Sequence, residues 1–160
     1  MAENVVVRPR EGKAYWMIGG LYELKASAAQ TGGEMVVFEM TLPPGPTICA
    51  PPHAHSGGEA VYVLEGKLRW HIGDETRDVG AGSFLYFKKG EWEWFENPTS
   101  TPARVLIVYG GRGMDEFFAE AAQPAARREL PPPPDGPPDM DRLMAIGKKH
   151  GIELKPPPQA

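Results

Sequence analysis

The chain has 160 residues, 41% of them hydrophobic and 24% charged, with a formal net charge of −4 at pH 7. That is the length of a single domain with enough apolar residues for one core. Its adjacent cations, Lys88-Lys89, Arg127-Arg128 and Lys148-Lys149, are isolated pairs and form no basic cluster, which argues against a nucleic-acid partner. No apolar run approaches the length of a membrane span, so no membrane partner is expected either.

The opening MAENVVVRPREGK lacks the apolar core of a secretory signal. Cys49 is the only cysteine, so no disulfide can form within the chain, and a cytoplasmic home is expected. The first 110 residues read as strands cut by turns. Residues 14–18, 22–26, 34–42, 60–64, 67–72, 84–87 and 103–109 are rich in β-branched and aromatic side chains. Gly19-Gly20, Gly32-Gly33, Gly73-Asp74, Gly80-Ala81-Gly82 and Asn97-Pro98 supply the turns between them. Many short strands at this spacing predict an all-β sandwich or small barrel, and a small barrel leaves room inside for a ligand.

After Gly113 the composition changes. Residues 114–122 predict a helix with Phe117 and Phe118 near one face, followed by Leu130 and the run PPPPDGPPD, which favours extended polyproline geometry. Asp139 or Asp141 is placed to cap a second helix over 142–149, ended by Gly151. The expected division is therefore a barrel over 1–112 and a C-terminal helix, proline-rich strap and short helix over 113–160. That tail is expected to pack on the outside of the barrel, with a lid or partner-binding role as the functional alternative.

The chemistry concentrates in PPHAHSGGEAVYVLEG, from Pro51 to Gly66. In extended chain, alternation puts His53 and His55 on one face. If the Ser56-Gly57-Gly58 turn lets the chain double back, the Glu59 carboxylate returns to the two imidazoles. Two histidines and a carboxylate on one side of a divalent ion leave other positions for water, dioxygen or substrate. Imidazole favours Fe, Mn, Co, Ni or Zn over Ca or Mg. Without a metal, the same residues would line the polar pocket of a binding barrel.

These residues resemble the cupin superfamily. The first cupin motif, a glycine, then HxH, then glutamate, then glycine, is matched by Gly45, His53, His55, Glu59 and Gly66, with a longer spacer that carries Pro51 and Pro52. The second is matched by Gly82, Gly90 and Asn97 in GSFLYFKKGEWEWFEN, the two motifs together spanning 45–97. Lys88 stands where proline is usual, and Glu93 where the fourth ligand histidine is usual. The chain also looks like small bacterial monocupins of the quercetin 2,3-dioxygenase-like type, through Thr31-Gly32-Gly33 and the ending Gly151-Ile152-Glu153.

The resemblance implies a cupin double-stranded β-helix, a jelly-roll barrel, with short C-terminal helices. It implies one divalent transition metal held by His53, His55, Glu59 and Glu93, with Glu59 and Glu93 as the candidate catalytic carboxylates. Glu93 is a fourth ligand, a general base standing off the metal, or, if the register slips, a solvated neighbour of Glu91. The implied reaction is dioxygenase or oxidoreductase chemistry on a small aromatic or enolisable molecule. A redox-neutral isomerase, cyclase or lyase, and a non-catalytic small-molecule-binding cupin, are the alternatives.

Among the remaining candidates, Cys49 is expected as a small buried thiol, facing the cavity if alternation holds through the prolines. His71 is expected opposite the apolar face of Leu68, Trp70 and Ile72, and His150 at a helix end. Phe84, Tyr86, Phe95, Val61, Val63 and Leu106 are the apolar candidates for the pocket lining. Trp92 and Trp94 are expected at a sheet or dimer interface, and a homodimer is expected because an unpaired sheet edge invites pairing.

Overall fold

The structure is a computed structural model that describes residues 1–158. The strands run in chain order as β1 (Ala14–Met17), β2 (Gly20–Ala26), β3 (Met35–Leu42), β4 (Thr47–His55), β5 (Glu59–Glu65) and β6 (Lys67–Ile72). They continue as β7 (Glu75–Gly80), β8 (Phe84–Phe87), β9 (Glu93–Asn97), β10 (Ala103–Gly110), β11 (Gln123–Pro124) and β12 (Ile152–Leu154). A seven-stranded sheet takes the order β11-β1-β2-β3-β10-β5-β8, and a five-stranded sheet the order β12-β4-β9-β6-β7. The pairings are antiparallel throughout, and the two sheets form a jelly roll.

Alternation builds the core. On β3, Val36, Phe38, Met40 and Leu42 are buried, and on β10 so are Ala103, Val105, Ile107 and Tyr109. Their partners from the second sheet are Leu68, Trp70 and Phe95. Each large side chain taken out of water contributes about 1.5–3 kcal/mol. Strand β8 corrects one expectation. Phe84 and Tyr86 are 66% and 65% exposed, while Leu85 and Phe87 point inward, so the first two do not line the pocket. Leu106 likewise lies off the buried face of β10, and Val61 and Val63 are core residues.

The C-terminal region does more than strap the outer wall. Helices α1 (Met114–Ala121) and α2 (Met140–Lys149) bury Phe117, Phe118, Leu143 and Ile146 against the barrel core. Asp139 caps α2 by accepting from the Arg142 amide at 3.0 Å. The Arg142 guanidinium then donates to the Ala121 and Glu120 carbonyls, tying α2 to the end of α1. Strand β12 pairs with β4, setting Ile152 opposite His55 and Leu154 opposite His53. Among the described residues, no helix is long and apolar enough to cross a membrane.

Outside the barrel, His71 stacks flat on Trp94 at 3.6 Å and lies 3.1 Å from Glu96, away from the cavity. Trp92 carries the Lys155 ammonium 3.6 Å above its ring. His150 ends α2 and meets Glu116 and Glu120 of α1.

Candidate metal centre

Strand β4 keeps its alternation through the prolines, so Cys49, Pro51, His53 and His55 all face inward. Strand β9 lies beside it and sets Glu93 directly opposite His53. The Ser56-Gly57-Gly58 link then crosses from the five-stranded to the seven-stranded sheet. It passes so close to Gly110 that a Cβ on Gly57 would collide with the Gly110 carbonyl. Glu59 therefore returns from the facing sheet, at the start of β5, opposite Tyr109 of β10. One ligand atom from each of His53, His55, Glu59 and Glu93 lies within 4.8 Å of the others, and all four residues are buried.

Glu93 is 1% exposed, which excludes the solvated alternative beside Glu91. Its Oε1 sits 2.5 Å from His53 Nε2, and its Oε2 accepts from Trp70 Nε1 at 2.5 Å. His53 Nδ1 is 2.7 Å from the Pro51 carbonyl, a contact that fixes the proton there and leaves Nε2 as the inward-facing nitrogen. The sequence places Trp70 only on an apolar face with Leu68 and Ile72. The available signal was its indole N–H, which a buried tryptophan must direct to an acceptor.

The cluster is close in distance but poorly satisfied by itself. His55 Nε2 lies 2.7 Å from Glu59 Oε2, yet neither atom makes a hydrogen bond of acceptable geometry. His55 Nδ1, Glu59 Oε1 and Glu93 Oε1 are also buried without a hydrogen-bond partner. Each such orphan costs about 1–3 kcal/mol, and more when charged. The lone pairs converge on one another's space, as ligands around a common ion do. Two carboxylates and two neutral imidazoles also balance a divalent charge. The residues present fit a metal site.

Electrostatics separates the four. Burial lowers both histidines, but at His53 the charge of Glu93 and the contact with it outweigh burial and raise the imidazole above its ordinary value. At His55 the upward pull of Glu93 is the smallest contribution, and burial together with the neighbouring His53 holds the imidazole well below its ordinary value. Burial lifts the Glu59 carboxyl to about 7, against a smaller opposing pull from His53. Tyr109, with its ring 5.0 Å from that of His55, is raised by burial and by the charges of Glu59 and Glu93.

The cavity beside the cluster measures ≈ 50 Å³. His53, His55, Tyr22, Tyr109 and Cys49 are its polar side chains, and Met40, Phe95, Phe117, Phe118 and Ile152 are among its apolar ones. Glu59 and Glu93 are not among its wall residues. No lysine or arginine borders it.

Residues 38–109 match the cupin domain family model, a span that holds all four clustered residues. This span forms a cupin domain. No curated protein gives a match. Among solved structures, this cupin is similar in fold to an RmlC-like cupin from Shewanella frigidimarina. They share 14% identity and a TM-score of 0.60 over 72% of this chain and 96% of that one. It is also similar to a predicted oxalate decarboxylase from Thermotoga maritima, at 27% identity and TM-score 0.58, over 66% of this chain and 98% of that one. A third likeness is to the polyketide cyclase RemF from Streptomyces resistomycificus, at 26% identity and TM-score 0.50, over 67% and 74% of the two chains. These names span different reactions on one barrel, so the reaction has to be argued from the site.

Proposed function

We propose that this cupin is a metal-dependent enzyme acting on a small, uncharged, phenolic or enolisable molecule. The observation that carries the reading is the buried two-histidine, two-glutamate cluster beside an apolar cavity without a cation. A divalent transition ion held by His53, His55, Glu59 and Glu93 would supply Lewis-acid polarisation of a substrate oxygen. Two buried glutamates disfavour an anionic substrate, which sets this site apart from one built for a small dicarboxylate.

The chain's own residues divide the work. Glu93, engaged by Trp70 on one oxygen and facing His53 with the other, serves as a fixed ligand in this reading, supported by those two contacts. Glu59 has both oxygens free of hydrogen bonds, as a carboxylate left open to an ion would have, and serves as the second anionic ligand. Tyr109, on the cavity wall beside His55, offers a phenol to the substrate oxygen. The aromatic lining keeps bulk water out, so these few polar groups act at short range.

Oxygenation is the reading favoured by the donor set, since two histidines with carboxylates suit metals that activate dioxygen. Redox-neutral cyclisation or isomerisation is favoured by the likeness to the polyketide cyclase. It is also favoured by the lining, where Met17, Met40, Met114 and Cys49 are all oxidisable. The free buried thiol suits a reducing, cytoplasmic setting. Elemental analysis of protein purified without chelator or nickel resin, followed by oxygen-electrode assays on phenols and 1,3-dicarbonyls, tests the proposal. About one transition metal per chain is expected. Less than a tenth of that in folded protein overturns the metal reading, and turnover without oxygen uptake selects the redox-neutral one.

A further inference from the structure

A cavity of ≈ 50 Å³ admits only a few heavy atoms, far less than the ~300 Å³ or more of an ordinary ligand pocket. A second and larger space of ≈ 810 Å³ lies next to it, between the strap carrying Leu130 to Pro138 and the segment from Pro43 into the start of β4 at Ile48. The two spaces share two wall residues, Ile18 and Pro51. Pro51 stands two residues before His53, so the outer groove ends at the strand that carries the histidines.

The lining of the groove is mainly proline, with Ile18, Ile48, Leu130 and the Thr47 side chain, and it contains no charged residue. Proline has no amide N–H, so such a wall offers compact apolar rings and hydrogen-bond acceptors but few donors. A complementary ligand has an apolar face and brings its own hydroxyl donors. A charged ligand would lose its hydration there without compensation.

Ile18 gives independent support. With Gly19 it forms the two-residue link of the β1–β2 hairpin, and both residues have positive φ, 48° and 74°. Such a turn favours asparagine or glycine at the first position. A β-branched residue there is a conformational outlier, of the kind found where a side chain is needed for a ligand rather than for folding. Here that side chain forms part of the wall between the groove and the cavity.

We propose that the proline-walled groove is an outer substrate subsite. It holds the flat, uncharged, hydroxylated aromatic body of a molecule whose oxygenated end passes Ile18 and Pro51 into the cavity beside His53 and His55. The proposal deepens the reading of that cluster as a metal-dependent active site and rests on it.

Binding of 2-naphthol and of 2-naphthoate at neutral pH, followed by fluorescence titration of the full chain, tests this subsite. Saturable binding of one 2-naphthol per chain is expected, with 2-naphthoate weaker by about tenfold. Leu130→Asp, outside any strand or helix, should weaken 2-naphthol by about tenfold with metal content unchanged. Ile18→Asn relieves the backbone outlier, so it should keep or raise Tm while also weakening 2-naphthol. Equal binding of naphthoate, or wild-type affinity in both variants, overturns the proposal. Metal-loaded protein that does not bind 2-naphthol overturns the subsite and leaves the metal reading standing. Metal-free protein whose 2-naphthol binding is weakened by both variants supports the subsite and overturns the metal reading.

Discussion

Trp70 donates its indole N–H to Glu93 Oε2 at 2.5 Å, and both side chains are fully buried. The indole is itself held in place, stacked on Phe95 at 4.2 Å and on Phe87 at 5.7 Å between ring centroids. A rigid aromatic therefore fixes one oxygen of the carboxylate and turns the other toward His53. This outer partner stands one step behind the cluster, where orientation and basicity of a ligand are set.

Trp70→Phe should keep the stacking and remove only the donor. Metal affinity is expected to fall by about 10–100-fold, and stability by about 1–3 kcal/mol for the orphaned oxygen. Chelator competition and denaturant titration measure the two. The companion Glu93→His should retain metal with an altered metal preference, because an imidazole replaces an anionic ligand. If both variants keep wild-type affinity and preference, Glu93 is not a ligand oriented by Trp70.

The double variant His53→Ala with His55→Ala should lose stoichiometric metal while remaining folded. Both imidazoles project from one face of β4, and the carboxylates left behind are a poor site for a borderline transition ion. Circular dichroism establishes folding, and elemental analysis reads the metal. Wild-type metal content in the folded double variant would sink the assignment of the centre.

Much of the site was legible because its parts obey local rules. His53 and His55 follow strand alternation, Glu59 follows a small-residue turn, and Glu93 follows the register of the second motif. What escaped was set by tertiary contact. FLYF on β8 is apolar at every position, so no alternation marks Leu85 and Phe87 as the buried pair. ETRDVG of β7 is an edge strand with no apolar face, and IEL of β12 becomes a strand by pairing with β4. The closure of the cavity by Phe117, Phe118, Leu143 and Ile152 follows from that pairing and from the docking of α1 and α2.

For the expected homodimer, the exposed aromatic surface lies elsewhere than at Trp92 and Trp94. Trp92 and Trp94 are engaged by Lys155 and His71, whereas Tyr62, Phe84 and Tyr86 are 45%, 66% and 65% exposed. Tyr62 pairs with Phe84 in register, and β8 is one of the two edge strands of the seven-stranded sheet. An exposed aromatic edge is a pairing liability that self-association removes. Light scattering at micromolar concentration should give about twice 17.5 kDa, and Phe84→Lys with Tyr86→Lys should return the monomer. A wild-type mass near 17.5 kDa would count against pairing altogether.

Cys49 should be inert as a thiol in the native protein. It is fully buried, and burial pushes its pKa up to about 12, so almost no thiolate exists near pH 8. A chromogenic disulfide reagent at that pH should react only after denaturation. The sign of the stability effect follows from the same shift. The unfolded thiol ionises near its ordinary value of 9.0, while the folded one keeps its proton to about 12. The folded state binds more protons in that window, so the contribution of Cys49 is complete below pH 9 and declines as pH rises toward 12. The stability advantage of wild type over Cys49→Ala should therefore shrink across that range. An advantage that stays constant from pH 8 to pH 11, or rapid native labelling at pH 8, would place the thiol in a more open environment than the barrel gives it.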